Sequence, residues 1–200
     1  MGINLQKGQK IDLTKGGSGL SQVMVGLGWD EVQRSGGFFA PKPQDIDCDA
    51  SVILCGADGK VLPGGPEQCL VYFGNLRHPS GAIVHQGDNL TGAGDGDDEQ
   101  IMVNLNAIPA NVDKLVFVVN IYDARARNQH FGLVQNAFIR LVNMSNNSEI
   151  CRFNWSENYN NMTGLVVGEI YRKNGEWKFN AIGQPVQEAS RLESLIQLYV

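Results

Sequence analysis

The chain has 200 residues, 42% of them hydrophobic, with 24 glycines and a net charge of −5 from 16 Lys and Arg against 21 Asp and Glu. That length suits one domain and that apolar content fills a core, which excludes a disordered chain. The longest strongly apolar run, LVFVV at 115–119, is far too short to span a bilayer, and no charged-then-apolar leader opens the sequence. The expectation is a cytoplasmic protein that is not membrane-inserted, and no direct nucleic-acid binding is expected.

Apolar residues recur with a period close to two, rich in β-branched and aromatic types and bracketed by Gly, Asn, Asp and Pro. Strands are expected at 3–6, 10–13, 22–29, 47–55, 69–73, 100–105, 114–122, 137–143, 149–154, 165–172 and 176–182. Residues 123–135, DARARNQHFGLVQ, carry neither a strand nor a helix period cleanly. Lys173, Asn174 and Gly175 between two strand patterns read as a hairpin turn. Val186, Ala189, Leu192, Leu195, Ile196 and Tyr199 recur at helical spacing. The expected fold is therefore mainly β: a single antiparallel β-sandwich domain over 1–200, with a C-terminal amphipathic helix at about 186–199 packed on it.

Cys48, Cys55, Cys69 and Cys151 form no C-x-x-C pair, which argues against a zinc ribbon or thioredoxin-type centre and for reduced, buried thiols. The acids are more informative. Nine of the 21 are Asp30, Asp45, Asp47, Asp49, Asp88, Asp95, Asp97, Asp98 and Glu99; the other 12 face 16 Lys and Arg, a net of +4. From His78 to Asp113 there is no Lys or Arg, so GDNLTGAGDGDDEQ at 87–100 has no cation nearby in sequence.

In DIDCDAS at 45–51, strand alternation sends Asp45, Asp47 and Asp49 to one face and Ile46, Cys48 and Ala50 to the other. Two carboxylates about 6 Å apart at an effective dielectric near 20 repel by roughly 3 kcal/mol, a penalty a divalent cation removes. Carboxylates, Asn89, Thr91 and glycine-freed carbonyls are oxygen donors on irregular backbone, the chemistry calcium accepts; magnesium demands a stricter octahedron and zinc prefers His and Cys. His85, the nearest imidazole, reads as an ordinary surface or strand residue. The segment is not an EF-hand: counting from Asp95 puts Gln100 and Asn106 where Gly and Glu belong, and counting from Asp45 puts Ala50 and Gly56 there. Any site must combine distant loops, and a sandwich gathers its loops at its ends, where Asp30 of GLGWD, DIDCDAS and the acidic segment would converge.

Three readings of this acidic end remain open on spacing. It is a calcium site; it is a magnesium- or manganese-dependent phosphoester hydrolase; or it is a solvated set of Asp-Gly turns. Arg125, Arg127, Asn128, Gln129 and His130 form either an anion-binding loop or a solvated one.

KGQKIDLTK, VGLGWD, DIDCDAS, GDNLTGAGDGDDEQI, FVVNIYDARARNQHFG, NAFIRLVN and GEIYRKNGEWKFNAIG, in this order, resemble the TerD family of tellurium-resistance and general stress proteins over residues 3–183. The resemblance implies a β-sandwich that binds calcium, two ions in neighbouring sites, without catalysis. It carries the metal-binding positions onto Asp30, Asp45, Asp47, Asp88, Asn89, Thr91, Asp95, Asp97, Asp98 and Glu99. Asp49 either points elsewhere or supports a metal ligand from behind. Ala93 stands where the family often has Glu, which implies a weaker second ion. Partners implied by the family are other tellurium-resistance proteins, including a membrane protein of the same operons.

Overall fold

The structure is a computed structural model that describes residues 2–17, 19–31, 46–87, 96–155, 159–189 and 191–200. Among the described residues, twelve strands run in chain order: β1 Ile3–Leu5, β2 Lys10–Asp12, β3 Gln22–Glu31, β4 Cys48–Cys55, β5 Leu70–Val71, β6 Ile83–His85, β7 Glu99–Asn104, β8 Lys114–Ile121, β9 Val134–Asn143, β10 Ser148–Asn154, β11 Gly164–Lys173 and β12 Glu176–Val186. They form two six-stranded sheets, one ordered β1-β10-β9-β3-β7-β6 and the other β2-β12-β11-β8-β4-β5. The expected antiparallel sandwich is present, with one parallel pair: β1 runs beside β10, Asn4 opposite Arg152, before the chain crosses to the second sheet as β2.

The two sheets differ in how their outer faces are covered. In the first, β7 alternates strictly: Glu99, Ile101 and Val103 are buried while Gln100, Met102 and Asn104 are half-exposed, the pattern of a sheet with one wet face. In the second, seven of the eight residues of β8 are buried. Leu115, Phe117 and Val119 point into the inter-sheet core, and Val116 and Val118 join Ile53, Val166, Ala189 and Leu195 in a separate cluster on the outer face. Burial on both faces explains why LVFVV reads as a continuous apolar run rather than an alternating one.

Two local readings are corrected. The C-terminal helix is shorter than expected, Leu192–Ile196 followed by a 3-10 turn at Gln197–Tyr199. Val186 belongs instead to β12, opposite Gly164, because a register shift extends that hairpin. The residues chosen by helical spacing still pack together on the second cluster. The strand expected at 69–73 shrinks to two residues, because Pro66 starts a one-turn helix, Pro66–Cys69. Residues 123–135 hold a one-turn helix, Ala124–Arg127, and a 3-10 turn, Phe131–Leu133. The turn at Asn174 and Gly175, with φ of 55° and 78°, is the expected two-residue hairpin connection.

All four cysteines are buried thiols outside any disulfide. Burial pushes Cys55 and Cys151 up to about 12 and raises Cys69 as well. Thiolate is the reactive form, so native protein at neutral pH is expected to leave an aromatic disulfide reagent almost untouched, and denatured protein to react with four equivalents. Fast reaction of the native chain would contradict this burial.

Candidate functional site

The end of β3, the start of β4 and the start of β7 lie at the same end of the sandwich, since Leu27 pairs with Glu99 and the Glu99 side chain reaches Ala50 across the sheets. Asp30, Asp47, Asp97, Asp98 and Glu99 are therefore carried to one pole. Asp45, Asp88, Asn89, Thr91 and Asp95 lie outside the described residues, as does Ala93. Among the described residues no three His, Cys, Asp or Glu side chains are grouped to hold a metal by themselves.

Asp97, Asp98 and Glu99 are adjacent in sequence and face three different surroundings. Asp97 turns onto the outer face of the first sheet. Its Oδ1 accepts from Arg140 Nε at 2.7 Å and its Oδ2 from Arg140 Nη2 at 3.0 Å, a two-point pair with the carboxylate fully buried. Gln100 Nε2 donates to Oδ2 as well. This packing requires glycine beneath it: a β-carbon at Gly26 would stand 2.4 Å from the carboxyl carbon and both oxygens. Arg140 continues to Glu149 at 3.4 Å, Glu149 meets Arg152, and Arg152 stacks over the Phe138 ring at 4.0 Å. The Asp97 hydrogen bonds raise the Arg140 guanidinium above its ordinary value.

Asp98 stays at the rim. Its backbone N–H donates to Leu27 O at 2.8 Å, and its Oδ2 accepts from the Trp29 N–H at 2.7 Å. Desolvation pushes its carboxyl up, the Trp29 bond opposes that, and the charges of Asp30 and Asp97 add to the rise. Asp30 itself is exposed, at a register shift between β3 and β9, where Asn136 Nδ2 donates to its Oδ2 at 2.7 Å.

Glu99 turns inward. Only 2% exposed, it accepts from the Ala50 N–H at 2.8 Å and lies 3.3 Å from His85 Nε2. His85, expected as an ordinary surface or strand residue, is a strand residue, the last of β6, but is 2% exposed at this core end. On the second sheet Ile46, Cys48 and Ala50 enter the main core, as alternation requires. Asp47 faces Arg127 at 3.7 Å, which itself lies over the Tyr122 ring at 5.1 Å, and Asp49 accepts from Asn120 Nδ2 at 3.3 Å. Arg125 pairs with Glu188, so both arginines of the loop read as an anion site already face carboxylates.

The partner most missed by sequence reading is Arg140, 43 residues from Asp97. Alternation in NAFIRLVN, with Ile139 and Leu141 in the core, was the available signal that Arg140 faces outward beside β3. The profile of the TerD domain matches residues 1–199. The chain belongs to the TerD family. It is 52% identical over 204 residues to the stress response protein SCP2 of Bacillus subtilis (strain 168), covering 100% of both chains. It is 45% identical over 184 residues to the tellurium resistance protein TerD of Serratia marcescens, covering 92% of this chain and 91% of that one. The structure superposes with a TM-score of 0.61 on a homologue of telluride resistance protein (TerD) from Streptomyces coelicolor A3(2), at 22% identity over 85% of this chain and 92% of that one, a likeness of fold. Among the described residues, no helix is long and apolar enough to cross a membrane.

Proposed function

We propose that this member of the TerD family is a non-enzymatic, calcium-binding protein of the cytoplasm, active in resistance to tellurite and chemical stress. In this reading its calcium-loaded pole presents a surface to partner proteins, a membrane protein of the same resistance operons among them. The observation that carries it is the placement of Asp98, a half-buried carboxylate at the rim of the pole, held by the Trp29 N–H with Asp30 and Asp97 nearby. A partly desolvated carboxylate beside Asp30 and Asp97 holds a proton more tightly than usual, and a cation at that rim relieves the same repulsion.

The donors fit calcium: oxygen ligands, on strand ends and irregular connections. Asp30, Asp98 and Glu99 from the first sheet and Asp47 from the second would hold it, with Asp45, Asp88, Asn89, Thr91 and Asp95 completing the set. Asp97, both of whose oxygens already accept from Arg140, anchors the acidic segment to β9. Bound calcium would supply charge neutralisation and order the pole for a partner.

Titration calorimetry of chelator-stripped protein with calcium, then magnesium, is the test, and absence of saturable calcium binding at micromolar concentration overturns the reading. Calcium at a hundredfold excess over Kd is expected to add about 2.7 kcal/mol of stability. Manganese-dependent phosphoester turnover, lost in the same site variants, would promote the hydrolase instead.

Asp98→Asn separates the charge from the fold. A carboxyl raised in the folded state binds protons more tightly there than in the unfolded chain, so its ionisation costs stability as pH climbs past 3.8, and the whole cost is present at neutral pH. Without calcium the variant is expected to melt no lower than the parent at pH 7, its relative advantage shrinking as pH falls toward 3.8; its calcium affinity drops. Thermal melts from pH 3 to pH 8 with and without calcium read both effects.

A further inference from the structure

The outer face of the first sheet carries a hollow of about 160 Å³ well away from the acidic pole. The pole lies where Leu27 pairs with Glu99; the hollow lies at the far end of the same strand pair, where Gln22 pairs with Asn104. Strand register builds its floor. Met102 of β7 stands opposite Val84 of β6, and Val84 stands opposite Arg77 across a single bridge, so the three side chains lie in one row on the half-wet face. Met102 and Val84 line the hollow together with Gln22 and Asn104, and Gly81 and Ala82 wall one side. That wall is a braced turn. The His78 N–H donates to Ile83 O at 3.1 Å and the Gly81 N–H to His78 O at 2.8 Å, while Ser80 Oγ accepts the Ala82 N–H at 3.1 Å. Ala82 O takes the Asn104 N–H at 2.7 Å, which fixes the turn to β7. Gly81 sits at φ of 71°, and Arg77 folds over it: Nη2 lies 3.0 Å from where a β-carbon would stand. Among the described residues, no carboxylate faces Arg77.

We propose that this hollow binds a short branched-chain carboxylate, with the Arg77 guanidinium at its lip taking the carboxylate and Met102 and Val84 taking the branched end. A guanidinium offers the planar fork that a carboxylate matches in two parallel hydrogen bonds. An apolar floor with a few polar groups at its edge is the usual make-up of a small-molecule site. Inorganic phosphate would satisfy the arginine and leave Met102 and Val84 wet, so the floor selects a ligand with an apolar part. Size sets the chain length: a cavity of about 150 Å³ takes a benzene-sized molecule, which limits this ligand to about six or seven non-hydrogen atoms. The turn is already braced and the floor already paired, so little protein has to be ordered when the ligand enters. The site owes nothing to the acidic pole and requires no metal.

The test titrates the full chain, stripped of metal and isotope-labelled in its backbone and its five methionine methyls, with isovalerate followed by NMR. Saturable shifts are expected at the Met102 methyl and the Gly81 N–H, with the Met162 methyl, packed against the main core, unmoved. Isovaleramide has the same shape without the charge, and Arg77→Gln removes the fork from an exposed position where folding is undisturbed. Each is expected to weaken binding about tenfold, the worth of one charge-assisted pair. Met102→Trp fills the hollow from a half-exposed position and is expected to abolish the Gly81 shift. Absence of saturation in the parent overturns the site. Equal binding of isovaleramide overturns the carboxylate, and unchanged binding in Arg77→Gln overturns the arginine's part. A Gly81 shift that persists in Met102→Trp overturns the location, as does isovalerate binding that appears only once calcium is added. Every other arm is run without metal, so failure there leaves the calcium reading untouched.

Discussion

Replacing Arg140 with methionine is expected to destabilise the domain by about 3 kcal/mol, the lower end of the cost of stranding a buried charge, because the arginine is itself partly solvated. The Asp97 carboxylate is 0% exposed and Arg140 27%, so the arginine's removal leaves a buried negative charge where water has little access. For a chain of this size that loss lowers the melting temperature by about 6–12 °C. The opposite substitution, Asp97→Asn, is expected to cost less, because Arg140 is left with Glu149 at 3.4 Å and with solvent. The double variant should recover most of the Arg140→Met loss. Urea unfolding of the four proteins closes the cycle, and a coupling below about 0.5 kcal/mol would show that the pair is not the anchor. Gly26→Ala should approach the same loss from the other side, since its β-carbon collides with all three carboxyl atoms.

This pair shows where reading from sequence reached and where it stopped. The strands were legible because alternation is a local property: β3, β4, β7 and β8 were all expected within two residues of where they lie. β6 was missed because three residues, Ile83–His85, are too few to establish a period. The C-terminal helix was overextended because Val186 and Ala189 fit a helical spacing, while the pairing of Val186 with Gly164 is non-local. The acidic block was read as one object lacking cations, on the fair ground that none is near in sequence. Sheet pairing overrides that ground by bringing β9 beside β3 and so Arg140 onto Asp97, while its neighbours turn to the rim and to the core. Nothing local distinguishes DDE as three adjacent acids from DDE as an anchor, a rim carboxylate and a tie between sheets. The glycines of VGLGWD carried part of the answer, since a strand holding Gly26 and Gly28 leaves room for a second layer, here Asp97 and the Gly96 carbonyl.

Glu99 gives the sharper test of what such a tie is for. Substituting leucine removes the acceptor of the buried Ala50 N–H and one acceptor within reach of His85 Nε2. An unsatisfied buried donor costs about 1–3 kcal/mol, so Glu99→Leu is expected to lose about 3 kcal/mol or more in urea unfolding, with faster exchange of the Ala50 amide. Glu99→Gln keeps a carbonyl oxygen for the Ala50 N–H while removing the charge, and its expected loss is under about 1 kcal/mol. If the side chain serves only to join the sheets, calcium affinity in Glu99→Gln matches the parent. If its charge also faces the cation, affinity falls while stability holds, and the second outcome is the one expected from its place beside Asp98 at the shared pole. A Glu99→Gln protein as unstable as Glu99→Leu would instead mean that the buried charge itself, and not the geometry of its oxygens, holds the two sheets together there.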